Sequence, residues 1–143
     1  MKRNILSSLY LALTCVASLT FASCGSDEEE TPGAPKIEID EANIEGDELC
    51  VEADITAPGL TKSIVIEITD KRNSRVKASM SVTDKKYIGV RNIDDFHVHV
   101  HIAGCDVVVG DQLNLAVTDA LGQATLTQKA ITQEEDEDGH ENN

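Results

Sequence analysis

The chain has no tryptophan and only two tyrosines and two phenylalanines in 143 residues. So few flat side chains count against a dedicated glycan site, where stacking platforms are the rule. Cations are scarce as well, with 12 Lys and Arg against 26 Asp and Glu and a net charge of −14. A chain this acidic, with no basic stripe, repels phosphate backbones, which excludes nucleic acid as a partner. Internal repeats and long helical periods are absent, and that argues against helical bundles and solenoids. There is no Gly-x-Ser-x-Gly, no His-Glu-x-x-His, no phosphate loop and no Gly-x-Gly-x-x-Gly. Without these constellations the chain is expected not to be an enzyme.

The two ends carry the clearest signals. "MKRNILSSLYLALTCVASLTFASC" opens on Lys2 and Arg3 and continues as an apolar run broken by serines and threonines. A membrane-spanning helix needs about 20 predominantly apolar residues, so residues 1–23 read as a signal peptide instead. Phe21-Ala22-Ser23-Cys24 is similar to a bacterial lipobox, in which cleavage leaves the cysteine as the first, lipid-bearing residue. Cys24 is therefore the expected lipidation site. Cleavage there removes two cations and no acid, leaving a charge of −16. Residues 24–34, "CGSDEEETPGA", form a flexible acidic tether, and the Ser-Asp-acidic run resembles the signal by which Bacteroidetes send lipoproteins to the outer face of the outer membrane. Residues 133–143 are a polar, acidic tail expected to be disordered.

Between the ends, residues 35–132 alternate with period two, the mark of half-buried strands. Ile37 and Ile39 share a face, as do Leu49, Val51, Ala53 and Ile55, then Ile64, Ile66 and Ile68, then Val76, Ala78, Met80 and Val82. Phe96, Val98, Val100 and Ile102 follow, and Leu113, Leu115 and Val117 lead into a last run from Ala124 to Ile131. A short apolar piece, Tyr87 to Val90, lies between. "EGDE", "APGL", "DKRNS", "GCDVVVGD" and "DALGQ" supply turns. About seven short strands predict an all-β, immunoglobulin-like antiparallel β-sandwich, with a small open barrel as the alternative.

"GDELCVEADITAPGLTKSIVIEITD", "DDFHVHVHI" and "GDQLNLAVTDALGQ" together resemble the Ig-like domain of a family of Bacteroidetes lipoproteins known as domain of unknown function 4625, over residues 35–131. The resemblance implies a cell-envelope lipoprotein with an Ig-like sandwich and implies no particular activity.

Three of the four histidines, His97, His99 and His101, occupy every second position of one strand. With Phe96, Val98, Val100 and Ile102 facing the core, all three imidazoles point outward. Residues two apart on a strand are about 6.5–7 Å apart, so two of them can reach one ion while all three cannot do so easily. In an Ig-like topology Leu49–Ile55 lies antiparallel to this strand. Counting from the strand ends places Cys50 beside His101, Glu52 beside His99 and Asp54 beside His97, with Cys105 just past the end. Three readings stay open. In one, the patch holds Zn or Cu through His97, His99, His101, Glu52 and Asp54, helped by the cysteines, since imidazole and thiolate suit those ions. In the second it is a polar face beside a Cys50–Cys105 disulfide, as those two cysteines are the pair left after export. Or it carries neither.

The sequence thus predicts an outer-membrane lipoprotein, membrane-bound through its lipid and displayed at the cell surface. Its domain is expected to act as a binding or accessory module for another envelope protein or a glycan, without a cofactor. The alternative is Zn or Cu binding through the HVHVH strand.

Overall fold

The computed structural model describes residues 30–134. The signal peptide, Cys24, most of the acidic tether and the acidic tail lie outside the described residues. Eight strands follow in order: β1 Lys36–Glu45, β2 Glu48–Thr56, β3 Thr61–Thr69, β4 Val76–Ser81, β5 Asn92–His101, β6 Gln112–Asp119, β7 Ala124–Ala130 and β8 Thr132–Gln133. They form two four-stranded sheets, ordered β5-β2-β1-β8 and β4-β3-β6-β7. The molecule is an all-β sandwich of the expected class. Every strand pair is antiparallel except β1 with the two-residue β8, an eighth strand that alternation was too short to reveal. Tyr87, expected within a short apolar strand-like piece, instead closes a single 3-10 turn, Lys85–Tyr87, which Asp84 caps by accepting from the Lys86 N–H.

The core is what the alternation requires. Leu49, Val51, Ala53 and Ile55 from β2 and Phe96 and Val100 from β5 face Ile64, Ile66 and Ile68 from β3 and Leu113, Leu115 and Val117 from β6. Burying each large side chain of this set contributes roughly 1.5–3 kcal/mol. Two irregularities interrupt the pattern. In β1 the inward residues change parity from Ile37 and Ile39 to Ala42 and Ile44, because Asp40 is an extra residue bulged out of the ladder with β2. In β5 the parity changes between Ile93 and Phe96, because three residues of β5 span two of β2 at Ala53–Ile55. The two bulges flank the same stretch of β2 and turn Asp40, Asp94 and Asp95 outward together.

The sandwich has two poles. At one, the chain enters β1: Pro32 and Pro35 offer their carbonyls to Gln123 Nε2 and Thr125 Oγ1 of the β6–β7 hairpin, at 2.8 and 2.6 Å. The 57–60 and 120–123 turns meet here, Ala120 N–H donating to the Leu60 carbonyl. Asp119 is fully buried and accepts from the Leu121 and Gln123 N–H groups, and Gly59 packs so close that a Cβ would lie 2.5 Å from its carboxylate. At the opposite pole, buried Lys77 donates to Asp111 Oδ2 at 2.7 Å and to the Asp106 carbonyl at 2.8 Å, and lies 3.5 Å from Asp70. Burial works to raise the Asp111 carboxyl, but Lys77 and the N–H groups of Val108 and Lys71 outweigh it and hold the carboxyl below its usual range. This ion cluster ties the 102–111 loop to the β3–β4 hairpin.

Candidate metal centre

Strands β2 and β5 are antiparallel neighbours, as expected, but their register is two residues from the expected one. Glu48 stands opposite His101, Cys50 opposite His99 and Glu52 opposite His97. Asp54 falls at the β5 bulge and has no partner on that strand. The outward face of β2 therefore delivers Cys50, not Glu52 or Asp54, into the space between two imidazoles.

The geometry there is convergent. His97 Nε2 and His99 Nε2 are 2.9 Å apart, and Cys50 Sγ lies 3.9 Å from His97 Nε2. One donor atom from each of the three residues lies within 4.8 Å of the other two. A four-coordinate ion with nitrogen ligands at about 2.0–2.1 Å and sulfur at about 2.3 Å would hold its ligand atoms roughly 3.3–3.6 Å apart. The two pairs that involve His97 reach those spacings with shifts of a few tenths of an ångström, and the Cys50–His99 pair, within 4.8 Å, with a shift of up to about an ångström. Each ring is turned by a carboxylate on its far nitrogen: His97 Nδ1 meets Glu52 Oε1 at 2.8 Å, and His99 Nδ1 meets Glu48 Oε2 at 3.4 Å. For His97, the hydrogen bond to Glu52 is the arrangement that fixes the tautomer and aims Nε2 at a metal. Glu52 thus meets His97 from its far nitrogen and is not among the three converging donors. His101 and Asp54, expected as ligands, stand outside the cluster.

The expected disulfide is not formed, and Cys50 and Cys105 are both free thiols. The reason is the register. Cys50 sits opposite His99, inside the β5 ladder, whereas Cys105 lies beyond the end of β5 with its sulfur 3.8 Å from the Ala103 carbonyl. Cys50 is only 3% exposed; burial first, then Glu45 and Glu52, push its thiol from the ordinary 9.0 up to about 11.

Two further features adjoin the cluster. A cavity of about 290 Å³, made by the paired bulges, is lined by Asp40, Asp54, Asp94 and Asp95, by His97 of the cluster and by its partner Glu52. The Tyr87 hydroxyl braces the free edge of β5 at His97, accepting from its N–H and donating to its carbonyl, each at 3.1 Å. Sequence reading missed both. The parity breaks at Asp40 and at Asp94-Asp95 were the available signal for the first; nothing local marked Tyr87.

No family model matches the chain, and no curated protein matches it. Among solved structures it is similar to OgpA from Akkermansia muciniphila. A catalytically inactive form in complex with an O-glycopeptide substrate matches with a TM-score of 0.53 at 16% identity, over 68% of this chain and 28% of that one. Wild-type OgpA matches likewise, with a TM-score of 0.52 at 16% identity over the same shares. At this identity the likeness shows the fold alone, and the chain spans little more than a quarter of OgpA.

Proposed function

We propose that the chain is an outer-membrane lipoprotein, anchored by lipid on Cys24, whose Ig-like domain binds a transition-metal ion, Zn or Cu, through Cys50, His97 and His99. One observation carries the metal reading: a buried thiol and two Nε2 atoms converge while Glu52 holds the His97 Nδ1 and Glu48 lies near that of His99. Imidazole and thiolate are the donors that borderline-soft ions prefer. His97 and His99 are 47% and 39% exposed, so a fourth position opens to solvent or to a partner's ligand, which suits an ion that is carried rather than one that holds the fold. The acidic cavity alongside raises the local cation concentration. The anchor rests on the lipobox-like Phe21-Ala22-Ser23-Cys24, and the envelope setting on the resemblance to the Bacteroidetes lipoprotein family.

A second reading, contact with an envelope protein or a glycan, has in its favour that the same fold recurs as a module within a longer chain. Both readings describe a binding module without catalysis.

The test is calorimetric titration of the mature chain, carrying Cys24→Ser to omit the lipid, with zinc and with copper under reducing conditions. Binding at micromolar or tighter affinity is expected, together with a higher melting temperature through mass action. His97→Ala/His99→Ala and Cys50→Ser should each weaken it at least a hundredfold. No heat and no thermal shift in the wild type would remove the metal reading.

A further inference from the structure

The pole where the chain enters β1 differs from the rest of this acidic molecule. Leu60 and Leu121 are 38% and 54% exposed there, on the two turns that meet at that end. Leu60 is held at a φ of 68°, in the left-handed region that a leucine avoids unless the surrounding turn imposes it. Around the leucines stand exposed Lys36 at the start of β1, Lys62 at the start of β3 and Arg91 in the turn whose carbonyl receives the Ala57 N–H. Lys85 and Lys86 follow on the adjoining 3-10 turn. The local carboxylates offset these charges only in part, with Glu38 and Asp54 lining one hollow beside Lys36. Asp119 is buried on its own hairpin, and Asp84 lies 3.8 Å from Lys86. The opposite pole also exposes apolar residues, Val108 and Val109, but with Asp106 beside them.

Chain length decides what meets this end. From Cys24 to Thr31 there are seven peptide steps, which reach at most about 25 Å when fully extended. A ten-residue strand such as β1 is about 33 Å long. A lipid on Cys24 therefore keeps the entry pole next to the bilayer, on a tether shorter than the domain itself.

We infer that this pole, with Leu60 and Leu121 at its tip and Lys36, Lys62 and Arg91 around them, rests on the phosphate-bearing surface of the bilayer that holds the Cys24 lipid. The inference depends on the lipid anchor proposed above. The lipid supplies the attachment, and apolar and basic contacts from the protein add to it and orient the domain on the surface. The metal cluster lies part-way along the outer face of the other sheet from the leucine-bearing hairpin, in the half of β2 farther from the bilayer, and stays open to solvent.

The chain lacks tryptophan, so a single introduced indole reports on its own surroundings. Lipidated Leu121→Trp and Val108→Trp proteins are reconstituted into vesicles containing phosphatidylglycerol. Leu121→Trp emission should shift to the blue and be quenched by brominated lipid, whereas Val108→Trp should stay at its aqueous maximum. Adding Lys62→Glu and Arg91→Glu to Leu121→Trp should reverse the shift. Vesicle-bound protein in which neither indole shifts, or in which Val108→Trp shifts instead, overturns the contact and leaves the anchor standing. Wild-type protein that fails to partition with vesicles removes the anchor and the contact together.

Discussion

Cys50 sits on the outer face of its sheet yet is almost fully covered, with a glutamate pair raising its thiol further. The folded protein therefore keeps this proton when the unfolded chain has lost it. Stability from this group is complete below pH 9 and is lost as pH rises toward 11. Urea midpoints of the metal-free protein should fall across that window by roughly 1–2 kcal/mol, less than a dry interior would give because the glutamates face water. Cys50→Ala should flatten the decline. The thiol was visible in the sequence as a candidate, but as half of a disulfide. What it meets depends on a slide between two strands. Period-two alternation fixes which face a residue occupies and is blind to a slide by two, which keeps every side chain on its own face. Hence the histidine face could be read correctly while the partner of each histidine could not.

β5 is an edge strand, and edges invite pairing with other chains. Tyr87 covers the edge at His97 with two hydrogen bonds, its ring packing 4.9 Å from Phe96. Tyr87→Phe keeps the ring and removes both bonds. At about 0.5–1.5 kcal/mol each, the variant should lose roughly 1–3 kcal/mol in urea unfolding, and the His97 amide should exchange faster with deuterium. The strands themselves were legible because each core face is aliphatic and each turn carries Gly, Pro, Asn or Asp. The bulges were not, since a single extra residue looks like noise in a window of six. They matter because they gather the aspartates beside the Cys50–His97–His99 cluster.

At the scale of the molecule, a negative body focuses cations on the aspartate-lined cavity. Stopped-flow binding of zinc should slow as salt rises toward 1 M, where the Debye length shrinks to about 3 Å. Asp94→Asn/Asp95→Asn should slow association severalfold and lessen that salt dependence, with the dissociation rate little changed. Export and lipidation signals are short linear patterns rather than tertiary contacts, so the expectation at Cys24 rests on the sequence alone and lies outside the described residues. The link between the two ends of the domain comes only from the fold. β1 lies inside its sheet, paired along its length to β2 in nine residue pairs and near its far end to β8. A pull from the membrane on the residues before β1, resisted by anything gripping the far pole, runs along the strand axis and across bonds that lie perpendicular to it. The ladder then shares the force among all its bonds at once instead of opening them one by one. If the proposed lipid anchor holds the chain, tension thereby runs through β1 and its nine pairs with β2, leaving β5 and its histidines outside the line of load.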